Sequence, residues 1–165
     1  SEKSQRIFPQ RNNSQDRCAT FQKMSDINEK LVKLIKPIFD ISEMDFCPAS
    51  EKQISEFKKV TLEKGVPEKV TLELIKFYET TNGIPCLDSL SIHKINDLII
   101  FEWWDDNELW LGQRDFYTIR WKDNKYHLGD ASNLNYGEEY ISDSLIGLLE
   151  IGFNQWYSDD DIFEQ

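Results

Sequence analysis

No apolar run in this chain approaches the roughly 18 residues that a membrane-spanning helix needs. The longest candidate, Leu98-Ile99-Ile100-Phe101, is far too short. Cysteine is scarce as well: Cys18, Cys47 and Cys86 are three, widely spaced and without a CxxC pair. That pattern argues against a disulfide framework and fits a reducing, cytoplasmic compartment. A zinc site needs clustered Cys and His ligands, and the two histidines, His93 and His127, stand apart. No metal and no cofactor is expected. The phosphate-cradling patterns GxGxxG and GxxxxGK[ST] are absent, as is the GxSxG nucleophile turn. Cys86, after Pro85, reads as a small buried residue rather than a nucleophile. The histidines read as edge and strand-face residues rather than bases.

Basic residues are the last scarcity, and it is local. Residues 1–81 carry 14 Lys/Arg and 13 Asp/Glu, whereas residues 82–165 carry 5 Lys/Arg and 17 Asp/Glu, a net of −12. All five tryptophans, Trp103, Trp104, Trp110, Trp121 and Trp156, lie in that acidic half. Charge kept only for solubility needs no such asymmetry. An acidic, aromatic surface suits a basic protein partner and repels nucleic acid and anionic membranes.

Residues 1–24 are polar, rich in Ser, Gln, Asn and Arg, and read as a disordered or loosely packed N-terminal arm. Residues 25–157 read as a single domain and residues 158–165 as an acidic tail. A first helix is expected over about 26–36, capped by Ser25 or Asp26, with Ile27, Leu31, Leu34, Ile35 and Ile38 on one face. Pro37 should end or kink it. Ser50 and Gln53 have capping-box spacing ahead of a second helix, with Ile54, Phe57, Leu62 and Val60 as inward candidates and Gly65 as its stop. A third helix follows Val66-Pro67, runs through Leu72, Leu74, Ile75, Phe77 and Tyr78, and stops at Asn82-Gly83.

Past Gly83 the period changes from three-to-four to two. Leu87–His93 suggests a short edge segment, and Glu108–Gly112 a strand. Phe116–Trp121 and Lys125–Leu128 read as a hairpin around Asp123-Asn124. Asn133–Tyr140 reads as a loop or edge strand. A last helix opens at Ser142 or Asp143 and holds Leu145, Leu148, Leu149 and Phe153. Helices, antiparallel strands and a closing helix make an α+β fold, an antiparallel sheet packed against helices, with Trp121 and Phe153 buried.

Trp103-Trp104-Asp105-Asp106-Asn107-Glu108 is the most unusual segment. Neighbouring residues on a strand point to opposite faces, so one tryptophan can join the core while the other meets a partner. Tryptophan is enriched at binding hot spots. The expected partner-binding residues are Glu102, Trp103, Trp104, Asp105, Asp106, Glu108 and Asp115, and no catalytic residue is expected. The carboxylates, Glu138 and Glu139 among them, could in principle serve a small acid–base hydrolase. That chemistry needs two carboxyls in different environments at one bond, and a solvated acidic face accounts for them more simply.

In the order of its features the chain resembles the SUKH superfamily, which includes bacterial immunity proteins and fungal cell-wall assembly regulators. The features are the capped helix from Ser50 to Gly65, Val66-Pro67, the helix with Phe77-Tyr78 closing on Asn82-Gly83, strands including Leu111-Gly112-Gln113, the hairpin through Trp121, and a terminal helix around residues 145–153. The resemblance covers about residues 25–157. It implies an α+β fold and a non-catalytic protein-binding role. That role is an immunity protein neutralising a basic toxin, many such toxins being nucleases, or alternatively a regulatory scaffold in cell-wall or stress signalling. The N-terminal arm and the Trp103–Glu108 segment depart from the family pattern, and no family binding residue transfers by position.

Overall fold

The computed structural model describes residues 26–87, 90–115, 117–130 and 140–153. The expected N-terminal arm, acidic tail and most of the 133–140 segment lie outside them. Three helices come first: α1 (Asp26–Ile41), α2 (Glu51–Lys64) and α3 (Glu68–Thr80). Six strands follow: β1 (Ile84–Leu87), β2 (Leu90–Ile92), β3 (Leu109–Arg114), β4 (Tyr117–Lys122), β5 (Lys125–Asp130) and β6 (Ile141–Ser142). They form one antiparallel meander in the order of the chain. Residues 145–153 are helical and close the described chain. The α+β architecture is therefore the one that the change of period implied.

Local chemistry accounts for most of the boundaries. The Ser50 hydroxyl accepts from the Gln53 N–H at 3.1 Å, and the Gln53 side chain accepts from the Ser50 N–H at 2.9 Å, closing both halves of the capping box. Gly65 takes the left-handed φ of 79° that ends α2. Asp123 and Asn124 both have positive φ, 53° and 63°, the combination that a two-residue hairpin turn needs to match strand twist.

One core joins the helices to one face of the sheet. It includes Leu31, Ile35, Phe57, Leu74 and Tyr78 from the helices and Leu109, Ile119, Trp121, Tyr126 and Leu128 from the strands. Ile119 faces Leu128 and Trp121 faces Tyr126 across the β4–β5 ladder, so the alternation along β4 places Ile119 and Trp121 on the core side, while Tyr117 at its start is exposed. Leu145, Leu148, Leu149 and Phe153 of the closing helix are buried in the same core.

Several expectations are corrected. The first helix does not end at Pro37, which lies inside α1 and leaves it running to Ile41. Ile38 and Phe39, just beyond it, are buried, and that packing outweighs the lost backbone hydrogen bond. Leu62 is exposed, and Thr61 takes the inward place beside it. The third helix is capped at Thr81, while Gly83, at φ 83°, serves the turn into β1. The single edge segment expected near 87–93 is the hairpin partner β2 of a preceding strand. The closing helix is entered at Ser144, whose hydroxyl accepts from the Gly147 N–H at 3.0 Å. Cys47 is disulfide-bonded, contrary to the expectation that disulfides are unlikely here. Among the described residues no helix is long and apolar enough to cross a membrane.

Candidate protein-binding surface

Between β2 and β3 the chain makes two short 3-10 turns, Leu98–Phe101 and Trp104–Asp106. The Asp97 carboxylate accepts from the Ile99 N–H at 3.1 Å and opens the first. Asn107 closes the second with a left-handed φ of 60°. The segment is thus not a strand, and the rule of opposite faces does not apply to its tryptophans. They nevertheless diverge, because each finds a separate support.

Trp104 donates its indole N–H to the Lys64 carbonyl at 2.9 Å, satisfying an acceptor that the end of α2 leaves free. Its ring stacks on Trp121 at 6.5 Å between centroids. Trp103 lies flat on Trp110, 4.4 Å away and 6° from parallel, with the Arg120 guanidinium 5.3 Å from its ring centre. His93 meets Trp110 edge-on at 5.4 Å. Both Trp103 and Trp104 are half-buried. Rings held in this way lose little further freedom on binding, so more of their contact energy survives as affinity.

The acidic residues divide into three groups. Glu102, Asp105 and Asp106 are exposed, and none of them forms an ion pair among the described residues. Glu108, expected on the same surface, is only 5% exposed. Its carboxylate is held by Arg120 at 3.2 Å and Lys122 at 2.8 Å, so it lies beneath the face and braces it. The hydrogen bond to Glu108 raises the Lys122 pKa, so this cation stays charged across the neutral range. Asp115 sits at the β3–β4 corner with its carboxylate 3.9 Å from Arg114. The length of β3, about 17 Å at the usual strand rise, separates it from the Trp103 end. It is not part of the same patch.

Four of the five bases of this half are engaged with acids. Arg114 and Arg120 are buried, Lys122 is committed to Glu108, and Lys125 pairs with Asp143. Lys94 stands exposed. The surface presented by Glu102, Asp105 and Asp106 is therefore more acidic than the count of residues alone conveys.

A cavity of about 340 Å³ opens at the same end of the sheet, lined by Pro67, Lys69, Val70, Glu73, Trp121, Asn124, Tyr126 and Asp143. Glu73 accepts from the Tyr126 hydroxyl through one oxygen and from the Leu145 N–H, at 3.2 Å, through the other. Burial first, and then the Glu73 charge, push the Tyr126 pKa far above the usual phenol value, so the hydroxyl stays protonated and donating. Sequence reasoning missed Glu73. Its signal was a carboxylate in the helical stripe Val70, Glu73, Leu74, Phe77, where the other three positions are apolar and buried.

No family model, curated protein or solved structure matches the chain. Fold and surface define it as an α+β domain with a braced tryptophan pair and unpaired acids at one end of its sheet.

Proposed function

We propose that this chain is a non-catalytic protein-binding domain, an immunity protein of the SUKH kind that neutralises a basic toxin by binding it at the Trp103–Asp106 end of the sheet. One observation carries the reading: two tryptophans braced by separate partners stand beside three exposed carboxylates that form no ion pair among the described residues. Aromatic anchors of this kind contribute about 2 kcal/mol or more each when they are buried by a partner. The acids add attraction at long range and exclude nucleic acid. A cytoplasmic setting belongs to this reading and requires Cys47 to be reduced there, which thiol labelling in freshly lysed cells measures.

The test is binding kinetics with the basic protein that co-purifies with the chain. Asp105→Lys with Asp106→Lys should slow association about tenfold while circular dichroism stays unchanged. Trp103→Ala should speed dissociation. A partner that binds the double reversal as fast as the parent would remove this surface from the interface.

A further inference from the structure

The cavity below α3 holds a half-buried carboxylate with no counter-charge. Glu73 is hydrogen-bonded to Tyr126 and to the Leu145 N–H, both neutral donors, and forms no ion pair with Lys or Arg among the described residues. A carboxylate withdrawn from water is ordinarily matched by a cation. A second carboxylate, Asp143, lies on the rim, paired with Lys125 on one side. Lys69 is the single cation of the lining. Trp121, Tyr126 and Val70 form apolar wall, and Asn124 offers a side-chain amide from the turn. The volume is at the small end of the range for ligand clefts, enough for one long side chain.

We propose that this cavity receives an arginine side chain, its guanidinium meeting Glu73 and Asp143 and its methylene stem lying along Trp121 and Val70. Arginine suits such a site because its planar fork donates to carboxylates in two directions while its stem and π-face tolerate aromatic walls. An anion would have to sit against the Glu73 carboxylate, which has no ion pair among the described residues, at a rim where Lys125 and Lys69 already face Asp143. A purely apolar group would leave the Glu73 charge covered and unmatched, at the cost that attends a buried unpaired ion. The inference rests on the binding reading above for the origin of the arginine, which is a basic protein docking at the same end of the sheet. The cavity itself is separate from the Trp103–Asp106 surface and does not share its acids.

The probe is N-acetyl-arginine amide, titrated into the full chain while the backbone amide NMR signals of Asn124, Tyr126 and Leu145 are followed. N-acetyl-glutamine amide and N-acetyl-glutamate amide serve as neutral and anionic controls. The arginine derivative should shift these three signals saturably, and the controls should not. Lys69→Glu, on the exposed rim, should tighten binding about two- to fivefold, and Asp143→Asn should weaken it by a similar factor, the scale of exposed charge pairs. Glu73→Gln should weaken it about tenfold or more. Should that variant fail to fold, the opposite responses to Lys69→Glu and Asp143→Asn carry the same sign test. No saturable shift, equal shifts by the glutamate derivative, or weaker arginine binding in Lys69→Glu overturns the proposal. Asp105→Lys with Asp106→Lys leaves the small-molecule titration unchanged. A cavity that binds arginine in a chain without a basic partner therefore sinks the toxin reading alone, and a toxin bound as tightly by Glu73→Gln or Asp143→Asn sinks the cavity alone.

Discussion

At the scale of single residues, the polar face of the sheet depends on Glu108. It is buried with Arg120, whose side chain is equally inaccessible, and it also holds Lys122. Removing one member of a buried ion pair strands the other, a loss of about 3–5 kcal/mol, whereas replacing both with apolar groups is often close to neutral. Glu108→Ala should therefore lower the urea midpoint sharply, and Glu108→Leu with Arg120→Leu should recover much of the loss. A double variant worse than the single one would show that the pair is not the unit of stability. His93 gives a prediction in pH. Burial lowers its pKa below 6.5, and the nearby Asp97 charge offsets only part of that. Its Nε2 is buried without a hydrogen-bond partner among the described residues. The folded state thus binds this proton less well than the unfolded chain does. The stability that follows is complete above about pH 6.5 and falls as the pH drops through 6.5 toward the folded value. Denaturation midpoints between pH 7.5 and 5.5 should decline, and His93→Phe, which keeps a ring against Trp110, should decline less.

At the scale of elements, capping chemistry was legible and packing was not. Ser50 and Gln53 act three residues apart at one end of α2, and Gly65 acts through its own backbone at the other, so local chemistry alone marks both ends, and Ser50→Ala should cost about 1 kcal/mol in thermal or urea unfolding. The Asp123-Asn124 turn was readable for the same reason. The apolar face of β4 followed from strict alternation. That the helix runs past Pro37 was not legible, because the local penalty of a proline is visible in sequence while the burial of Ile38 and Phe39 is not. Pro37→Ala should accordingly raise the melting temperature, since it restores a hydrogen bond to an intact helix and removes a cost of up to about 3 kcal/mol. Leu62 was misread because helical periodicity places residues on a face without saying how wide the contacted stripe is. The tryptophan segment does not have the strand geometry that its sequence suggests. What folds it into 3-10 turns is the support of Lys64 and Trp121 for Trp104, and of Trp110 and Arg120 for Trp103, all remote in sequence. Gly112 belongs here too. A Cβ at that position would lie 2.0 Å from the Ser91 carbonyl oxygen, and Ser91 is on the paired strand, so the β2–β3 ladder itself excludes a side chain.

At the scale of the whole molecule, the charge asymmetry of the sequence becomes a separation in space. The helical layer carries exposed lysines such as Lys33, Lys52, Lys58 and Lys59, while Glu102, Asp105 and Asp106 stand unpaired at one end of the sheet. Net charge and local field then make different predictions for binding. If only the net charge of −11 mattered, any change of two units would alter the association rate alike, with the sign of the change. If the local field steers the partner, position decides. Lys52 is 12 residues before Lys64, and so about 18 Å along α2 from the turn of α2 that supports Trp104. That distance exceeds the screening length of about 8 Å at physiological salt. Lys52→Glu should therefore leave the association rate with the basic partner nearly unchanged at that salt, although it makes the chain more acidic. Asp105→Lys, an equal change of opposite sign, should slow association severalfold. At about 10 mM salt the screening length grows to roughly 30 Å, and Lys52→Glu should then speed association measurably. Stopped-flow rates for the two variants at the two salt concentrations test this directly. Equal and opposite effects of the two variants at physiological salt would mean that the partner responds to the overall charge of the molecule and not to the Trp103–Asp106 end of its sheet.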